Sequence, residues 1–336
     1  MRPVTHWGII GTGTIAKKFA ETLLTLPDAA LVAVGSRSRE KAMSFGNQFN
    51  VTYRHGSYEE LVANPAVDAV YVATPHSCHR DNTLLALRAG KPVLCEKPFA
   101  LDARQAAEMI ACARERKLLL MEAMWTRFLP VMVKLRRLRA DGVLGEPRLV
   151  TADLGFRAEA NAAGRLFDPA LGGGALLDVG VYPVALASMI FGAPTEAASL
   201  AKLGDAPVDL QEGIVLRHAE GQLSVLHASI EVTTFQEASI LGTLGRIKLH
   251  SPWWRSTAMT LMRENLKNDF WECPFNGNGY QYEASEFMAC LHSGKLESDV
   301  MPLNETLSIL TTLDSLRLQW GLRYPGEEIS QSPPNS

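Results

Sequence analysis

At 336 residues the chain is long enough for two domains, and a hydrophobic content of 47% supports sizeable cores. A net charge of −3 excludes nucleic acid or an anionic membrane as the expected main partner, and 21% charged residues is ordinary for a soluble protein. Five cysteines without CxxC or zinc spacing read as reduced, mostly structural thiols of a cytoplasmic protein, with no signal-peptide pattern and no apolar run of membrane-spanning length.

The first third alternates apolar strands with amphipathic helices, the pattern of a parallel sheet covered on both faces. Strands are expected over residues 5–10, 31–36, 69–73, 92–95 and 118–121, and a helix over 14–26. Ser57 with Glu60, and Asp102 with Gln105, have the spacing of helix amino-terminal caps. Between the first strand and helix lies Gly11-Thr12-Gly13-Thr14-Ile15-Ala16, a G-x-G-x-x-A run in the context that a dinucleotide site requires. Gly11 permits the tight turn, Gly13 lets backbone approach a pyrophosphate, and the N–H groups at Thr14 and Ile15 open the helix toward the phosphates.

The second strand ends at Ser36-Arg37, where an NAD-preferring site would place a carboxylate. A hydroxyl and a guanidinium suit a 2′-phosphate, so NADP(H) is expected as the preferred cofactor, with NAD(H) the alternative. Two further strand ends carry polar motifs: Thr74-Pro75-His76-Ser77-Cys78-His79 and Glu96-Lys97-Pro98. Open α/β sheets bind ligands at the carboxyl ends of their strands. Alone, Lys97 is a surface lysine in a turn; beside these motifs it becomes a desolvated cation able to hold a substrate oxygen and ease proton transfer. His76 and His79 have an HxxH spacing, but no third ligand is in view and no metal is expected.

After about residue 124 the pattern changes. A helix over 130–140 precedes alternating strands at 148–156, 213–218, 222–229, 238–241 and 246–250, the pattern of an antiparallel sheet with one wet face. Lys134, Arg136, Arg137 and Arg139 read as a solvated helix face. Helices over 282–292 and 303–320 close the chain, and 330–336 is expected to be a disordered tail. Within this half, Gly172 to Pro183 places Asp178 and Tyr182 four apart, on one face of a helix. Trp125, Phe156 and Trp254 are candidate walls of a substrate pocket, with Arg127 and Arg165 as polar contacts.

The G-x-G-x-x-A loop, the Thr74-to-His79 segment and Glu96-Lys97-Pro98 together resemble the Gfo/Idh/MocA oxidoreductases over nearly the full length. The resemblance implies a Rossmann amino-terminal domain (1–124) and an α+β carboxy-terminal domain (125–329) with an open, mostly antiparallel sheet that forms a homodimer. It implies reversible hydride exchange between nicotinamide and a sugar, polyol or related alcohol. Thr74, Pro75, His76 and His79 would line the cofactor, Glu96 and Lys97 would flank the nicotinamide, and the Lys97-Pro98 bond would be cis. Tyr182, with Glu122-Ala123-Met124-Trp125-Thr126-Arg127-Phe128 and Arg165-Leu166-Phe167-Asp168-Pro169, is similar to the branch of dimeric dihydrodiol and NADP-dependent xylose dehydrogenases. The expected roles are Tyr182 as general acid and base with its pKa lowered by Lys97, and Asp178 orienting the substrate or Lys97. A cyclic trans-diol or sugar is the expected substrate. The alternative is a non-catalytic dinucleotide-sensing regulator, in which the Lys97, Asp178 and Tyr182 set would be degraded.

Overall fold

The computed structural model describes residues 3–159 and 164–327, and the expected disordered tail lies outside them. Six strands, β1 (Thr5–Ile10), β2 (Ala29–Gly35), β3 (Tyr53–His55), β4 (Ala69–Val72), β5 (Val93–Glu96) and β6 (Leu120–Ala123), form a parallel sheet in the order 3-2-1-4-5-6. The central strands are apolar on both faces because helices α1 (Thr14–Leu23), α2 (Arg39–Phe49), α3 (Tyr58–Val62), α4 (His79–Arg88) and α5 (Ala103–Arg116) cover them. Strand order reverses between β1 and β4, which opens a crevice at their carboxyl ends. Both expected caps form: Ser57 accepts from Glu60 N–H at 3.2 Å and Asp102 from Gln105 N–H at 2.7 Å.

The second sheet contains β7 (Pro147–Gly155), β8 (Pro194–Leu203), β9 (Asp209–His218), β10 (Leu223–Ser229), β11 (Ala238–Gly242), β12 (Arg246–Leu249), β13 (Ala258–Met262) and β14 (Asp269–Glu272). Its order is β14-β13-β12-β11-β7-β10-β9-β8, antiparallel except for the β7–β10 pair. Helices α6 (Pro130–Ala140), α7 (Val181–Phe191), α8 (Gln281–His292) and α9 (Leu303–Gln319) complete the chain. The sheets are joined by more than one connection. Thr306 of α9 donates to Glu122 of β6 at 2.9 Å, and His292 of α8 meets Thr5 of β1 at 3.0 Å.

Several expectations need correction. α1 stops at Leu23, because the N–H of Leu24 and those that follow turn back on the last helical turn. β3, β8, β13 and β14 were not anticipated; β8 is an exposed edge strand, so its residues lack the alternation that marks a half-buried strand. In the basic cluster only Arg137 and Arg139 are exposed. Lys134 lies 5.0 Å over the Trp271 ring, and Arg136 donates to the Arg127 carbonyl at 2.6 Å. Among the described residues one run, Pro169–Phe191, is long and apolar enough to cross a membrane by length and composition, contrary to expectation, but 83% of its most apolar window is buried. Its helical end, α7, packs between the second sheet and α9.

Arg127 is also not where a substrate contact is needed. It lies in the turn Trp125–Phe128, is 4% exposed, and donates to Glu305 at 2.6 Å and to the Ala185 carbonyl at 2.8 Å. Its charge is consumed in tying this turn to α7 and α9. Arg127→Met leaves the half-buried Glu305 with Ser188 as its remaining partner among the described residues, and should cost about 2–3 kcal/mol of stability, less than a fully buried pair because water reaches Glu305. Urea denaturation measures it; a loss below about 1 kcal/mol would show the pair to be dispensable.

Candidate active site

The cofactor end of the site follows from β1 and α1. Gly11 has φ +110°, and a Cβ there would press on the Ala73 carbonyl, so the turn between strand and helix excludes other residues. A Cβ on Gly13 would meet nothing within 4 Å, and α1 has no side-chain cap and no acid in its first turn. The N–H groups of Thr14 and Ile15 thus face open space with the positive end of the helix dipole, a cradle suited to a pyrophosphate. A cleft of about 500 Å³ continues past Ser36, Arg37, Ser38, Lys41 and Tyr58 to Thr74 and Pro75. No carboxylate lines it, and Arg37 and Lys41 supply two cations. Lys41, two residues into α2, had no sequence signal beyond its charge.

The other end is built around Lys97, on the cis Lys97–Pro98 peptide that follows β5. Its Nζ donates to the Asp178 main-chain carbonyl at 2.8 Å and lies 4.7 Å from the centre of the Tyr182 ring. Asp178 sits in a five-residue π-helical turn, Leu176–Gly180, that runs straight into α7. The wider turn, rather than a regular helix, brings that carbonyl and the phenol to one cation. Burial works against the Lys97 ammonium, but Tyr182, Asp178 and Glu96 outweigh it and raise the pKa. For Tyr182 the balance is opposite: burial outweighs the ammonium and raises the phenol above its ordinary value. The expectation that Lys97 would leave Tyr182 with a lowered pKa is corrected.

Asp178 does not hold Lys97 through its carboxylate either. Arg165 takes that group at 2.6 Å and also meets His76 Nε2 at 3.2 Å. Although burial opposes ionisation, Lys97, Arg165 and His76 pull Asp178 down to about 2. His76 is buried, with Nδ1 on the Gly172 carbonyl at 2.9 Å, so it joins the Asp178 cluster. His79 is fully buried and spans the carbonyls of Thr74 and Pro98, each at 2.8 Å. It ties the two strand-end motifs together and has no surface to offer a cofactor. Burial pulls its pKa down while the two carbonyls, which take both ring N–H groups only from the protonated ring, pull it up, and no group of three or more His, Cys, Asp or Glu among the described residues is arranged for a metal.

The rings of Trp125 and Trp254 pack edge-on at 5.9 Å, with Trp125 itself buried. Trp125 donates to Tyr182 Oη at 3.2 Å and stacks on Tyr280 at 4.7 Å. Phe156 is half-buried just beyond β7 and pairs with none of these rings among the described residues. Behind Lys97, Glu96 accepts from the Tyr71 hydroxyl and from the Lys97 N–H at 3.1 Å. Glu283 of α8 faces it without a partner, and burial together with Glu96 holds its carboxyl well above the usual range. Tyr71, Tyr280 and Glu283 were missed; the one available signal was a polar residue interrupting an apolar segment, as Tyr71 does between Val70 and Val72.

Comparison with known proteins matches residues 5–124 to an oxidoreductase family with an NAD-binding Rossmann fold, and residues 132–248 to the GFO/IDH/MocA carboxy-terminal domain. The trans-1,2-dihydrobenzene-1,2-diol dehydrogenases of Xenopus tropicalis and Homo sapiens are each 36% identical, over 96% of this chain and 99% of their own. A 3-ketoreductase from Actinomadura kijaniata, solved with NADP and TDP-benzene, superposes with a TM-score of 0.84 at 27% identity, covering 94% of this chain and 98% of that one. An aldose-aldose oxidoreductase from Caulobacter crescentus shares the fold, with a TM-score of 0.86 at 24% identity over 95% and 98% of the two chains. The chain belongs to the Gfo/Idh/MocA family of NAD(P)-binding oxidoreductases.

Replacing Arg165 tests the charge arrangement at Asp178. Arg165→Gln should move the Asp178 titration from about 2 toward the ordinary carboxylate value, followed by carboxyl carbon NMR. With its pKa depressed, Asp178 stabilises the fold above the unfolded value of about 3.9, and that contribution is lost as pH falls through the folded value. An unmoved midpoint would mean that Arg165 plays no part in setting it.

Proposed function

We propose that this chain is an NADP(H)-preferring oxidoreductase acting on the CH–OH group of a cyclic trans-diol or a sugar, with Lys97 and Tyr182 as its catalytic residues. The observation that carries this reading is the placement of Lys97 Nζ, 2.8 Å from the Asp178 carbonyl and 4.7 Å from the Tyr182 ring centre, at the carboxyl end of β5. The uncapped α1 terminus would hold the pyrophosphate, and Ser36, Arg37 and Lys41 the ribose 2′-phosphate. When bound, the nicotinamide exchanges a hydride with the substrate carbon.

The protein's part is orientation and proton handling. Tyr182 already accepts from Trp125, and its own proton is available to an alkoxide forming above it. Lys97 binds the same oxygen and stabilises its negative charge. In the reverse direction the phenolate accepts the alcohol's proton, and its raised pKa makes oxidation faster toward alkaline pH. Arg165, half-exposed beside Asp178, offers its free edge to a substrate hydroxyl. Trp254, half-buried and edge-on to the buried Trp125, would offer one apolar face to a diol ring or sugar. The relatives named for a dihydrodiol support the diol class, and the neighbour named as a 3-ketoreductase supports exchange at a ring carbonyl.

Two further parts of the reading concern assembly and setting. Val215 and Val225 oppose each other across β9 and β10 at 42% and 45% exposure, with Leu200 at 84% on the adjacent strand. This apolar outer face favours a homodimer through the second sheet. Light scattering at micromolar concentration should give twice the chain mass, and a monomer would sink that assignment. All five cysteines are free, which suits a reducing, cytoplasmic setting.

Purified protein assayed with NADP⁺ or NAD⁺ and a panel of cyclic trans-diols and aldoses tests the catalytic reading. NADP⁺-dependent turnover is expected, rising with pH. Lys97→Met and Tyr182→Phe should each lower kcat by roughly 10²–10⁴-fold. Cofactor binding without turnover across the panel, or near-wild-type rates in both variants, would overturn it; equal affinity for NAD⁺ and NADP⁺ would remove the NADP preference.

A further inference from the structure

Behind the turn that carries Asp178 lie two carboxyl groups that the proposed chemistry does not use. Asp209 opens β9 and is fully buried; Glu212, further along the strand, is 4% exposed. Asp209 Oδ2 accepts the N–H of Leu176, the first residue of the π-helical turn. Its Oδ1 and both Glu212 oxygens have no N–H or O–H partner among the described residues. The same oxygens close against the turn: a Cβ on Gly174 would strike Asp209 Oδ1, and one on Gly180 would strike Glu212 Oε1. The turn is held from one side by Lys97 and Arg165, and from the other by these two acids.

The Asp209 and Glu212 side chains are within hydrogen-bonding contact of each other, and two such carboxylates in a dry site cannot both ionise. The surrounding groups do not supply a replacement. Arg317 of α9 favours an ionised Asp209, but its guanidinium is taken up by Asp314, Glu327 and the Leu101 carbonyl. The Tyr324 hydroxyl donates to the Gly173 carbonyl instead. The one charged group acting on Glu212 is Asp209.

We propose that Asp209 and Glu212 share a single proton, and that this acid pair positions the Leu176–Gly180 turn so that the Asp178 carbonyl and Tyr182 meet Lys97. Both are positioning residues; neither touches the reacting atoms. Burial lifts Asp209 to about 6 and Glu212 well above the usual carboxyl range, so the pair keeps its proton through neutral pH. A carboxyl raised in the folded state contributes most below its unfolded value and loses that contribution as pH rises through its folded value. Alkaline pH therefore puts two charges against the turn and loosens it. The proposed function enters only through the catalytic readout.

Hydrogen–deuterium exchange of the peptide spanning Leu176–Gly180 tests this without any substrate. After correction for intrinsic rates, wild-type protection should fall roughly tenfold or more between about pH 7 and pH 10, while peptides of the first sheet hold theirs. Glu212→Gln keeps a donor toward Asp209 at every pH, so its protection should stay flat. Its kcat should rise further toward alkaline pH than that of wild type, whose rise is cut short as the turn loosens, with KM for the cofactor unchanged in both. The same pH profile in wild type and Glu212→Gln overturns the proposal. If that variant fails to fold, carboxyl carbon NMR of the wild type decides: one proton retained on the pair above pH 7 supports the sharing, and two ordinary acidic titrations overturn it. A chain with no turnover on any substrate would sink the proposed function and leave this result standing.

Discussion

The site depends on burying one ammonium. Lys97 carries a charge into a pocket between a main-chain carbonyl and the face of a phenol ring, and both partners come from a segment about eighty residues further along the chain. Removing a lysine from water costs several kcal/mol unless its donors are satisfied. That cost is met here by a carbonyl dipole, a π face and the nearby negative charges of Asp178 and Glu96. Each of those groups must then be fixed in place, and much of the surrounding structure does so.

The fixing is uneven in charge. On the Lys97 side, Asp178 is kept ionised by Lys97, Arg165 and His76. Deeper in, Glu283, Glu212 and Asp209 are pushed toward their neutral forms by burial, and Glu122 is raised to about 7. A neutral carboxyl in the interior is a hydrogen-bond donor as well as an acceptor, so it can hold backbone and side chains without adding charge. The arrangement keeps the ionised groups near the site and the neutral ones behind it. A site that must stabilise a transient oxyanion benefits from that order, because further negative charge behind the lysine, beyond that of Glu96, would weaken its hold on the substrate oxygen.

The two ends of the crevice are built by different physics. The cofactor end is backbone: a left-handed glycine, an uncapped helix and open space above Gly13. The reacting end is side chains and one irregular helical turn, supported by α7, α8 and α9 from the second half of the chain. His79 joins them, since its ring bridges the carbonyls of Thr74 and Pro98 and so couples the loop after β4 to the loop carrying Lys97.

What could be read from the chain by itself was whatever depends on local rules. The glycine spacing after β1, the caps at Ser57 and Asp102, the apolar parallel strands and the Glu96-Lys97-Pro98 motif all follow from steric freedom, hydrogen-bond satisfaction and burial within a short stretch. The pairing of Lys97 with Tyr182 was legible only through the family resemblance, because the two lie in segments far apart in the chain. The tertiary structure decided where charge goes. It turned Arg127 inward to Glu305, buried His79, gave the Asp178 carboxylate to Arg165 and its carbonyl to Lys97, and placed Asp209 and Glu212 behind the same turn. It also decided that burial outweighs the ammonium at Tyr182. Those outcomes rest on distances between segments far apart in the chain, and on how much water each group loses when the two sheets close around it. No local pattern of residues encodes either quantity.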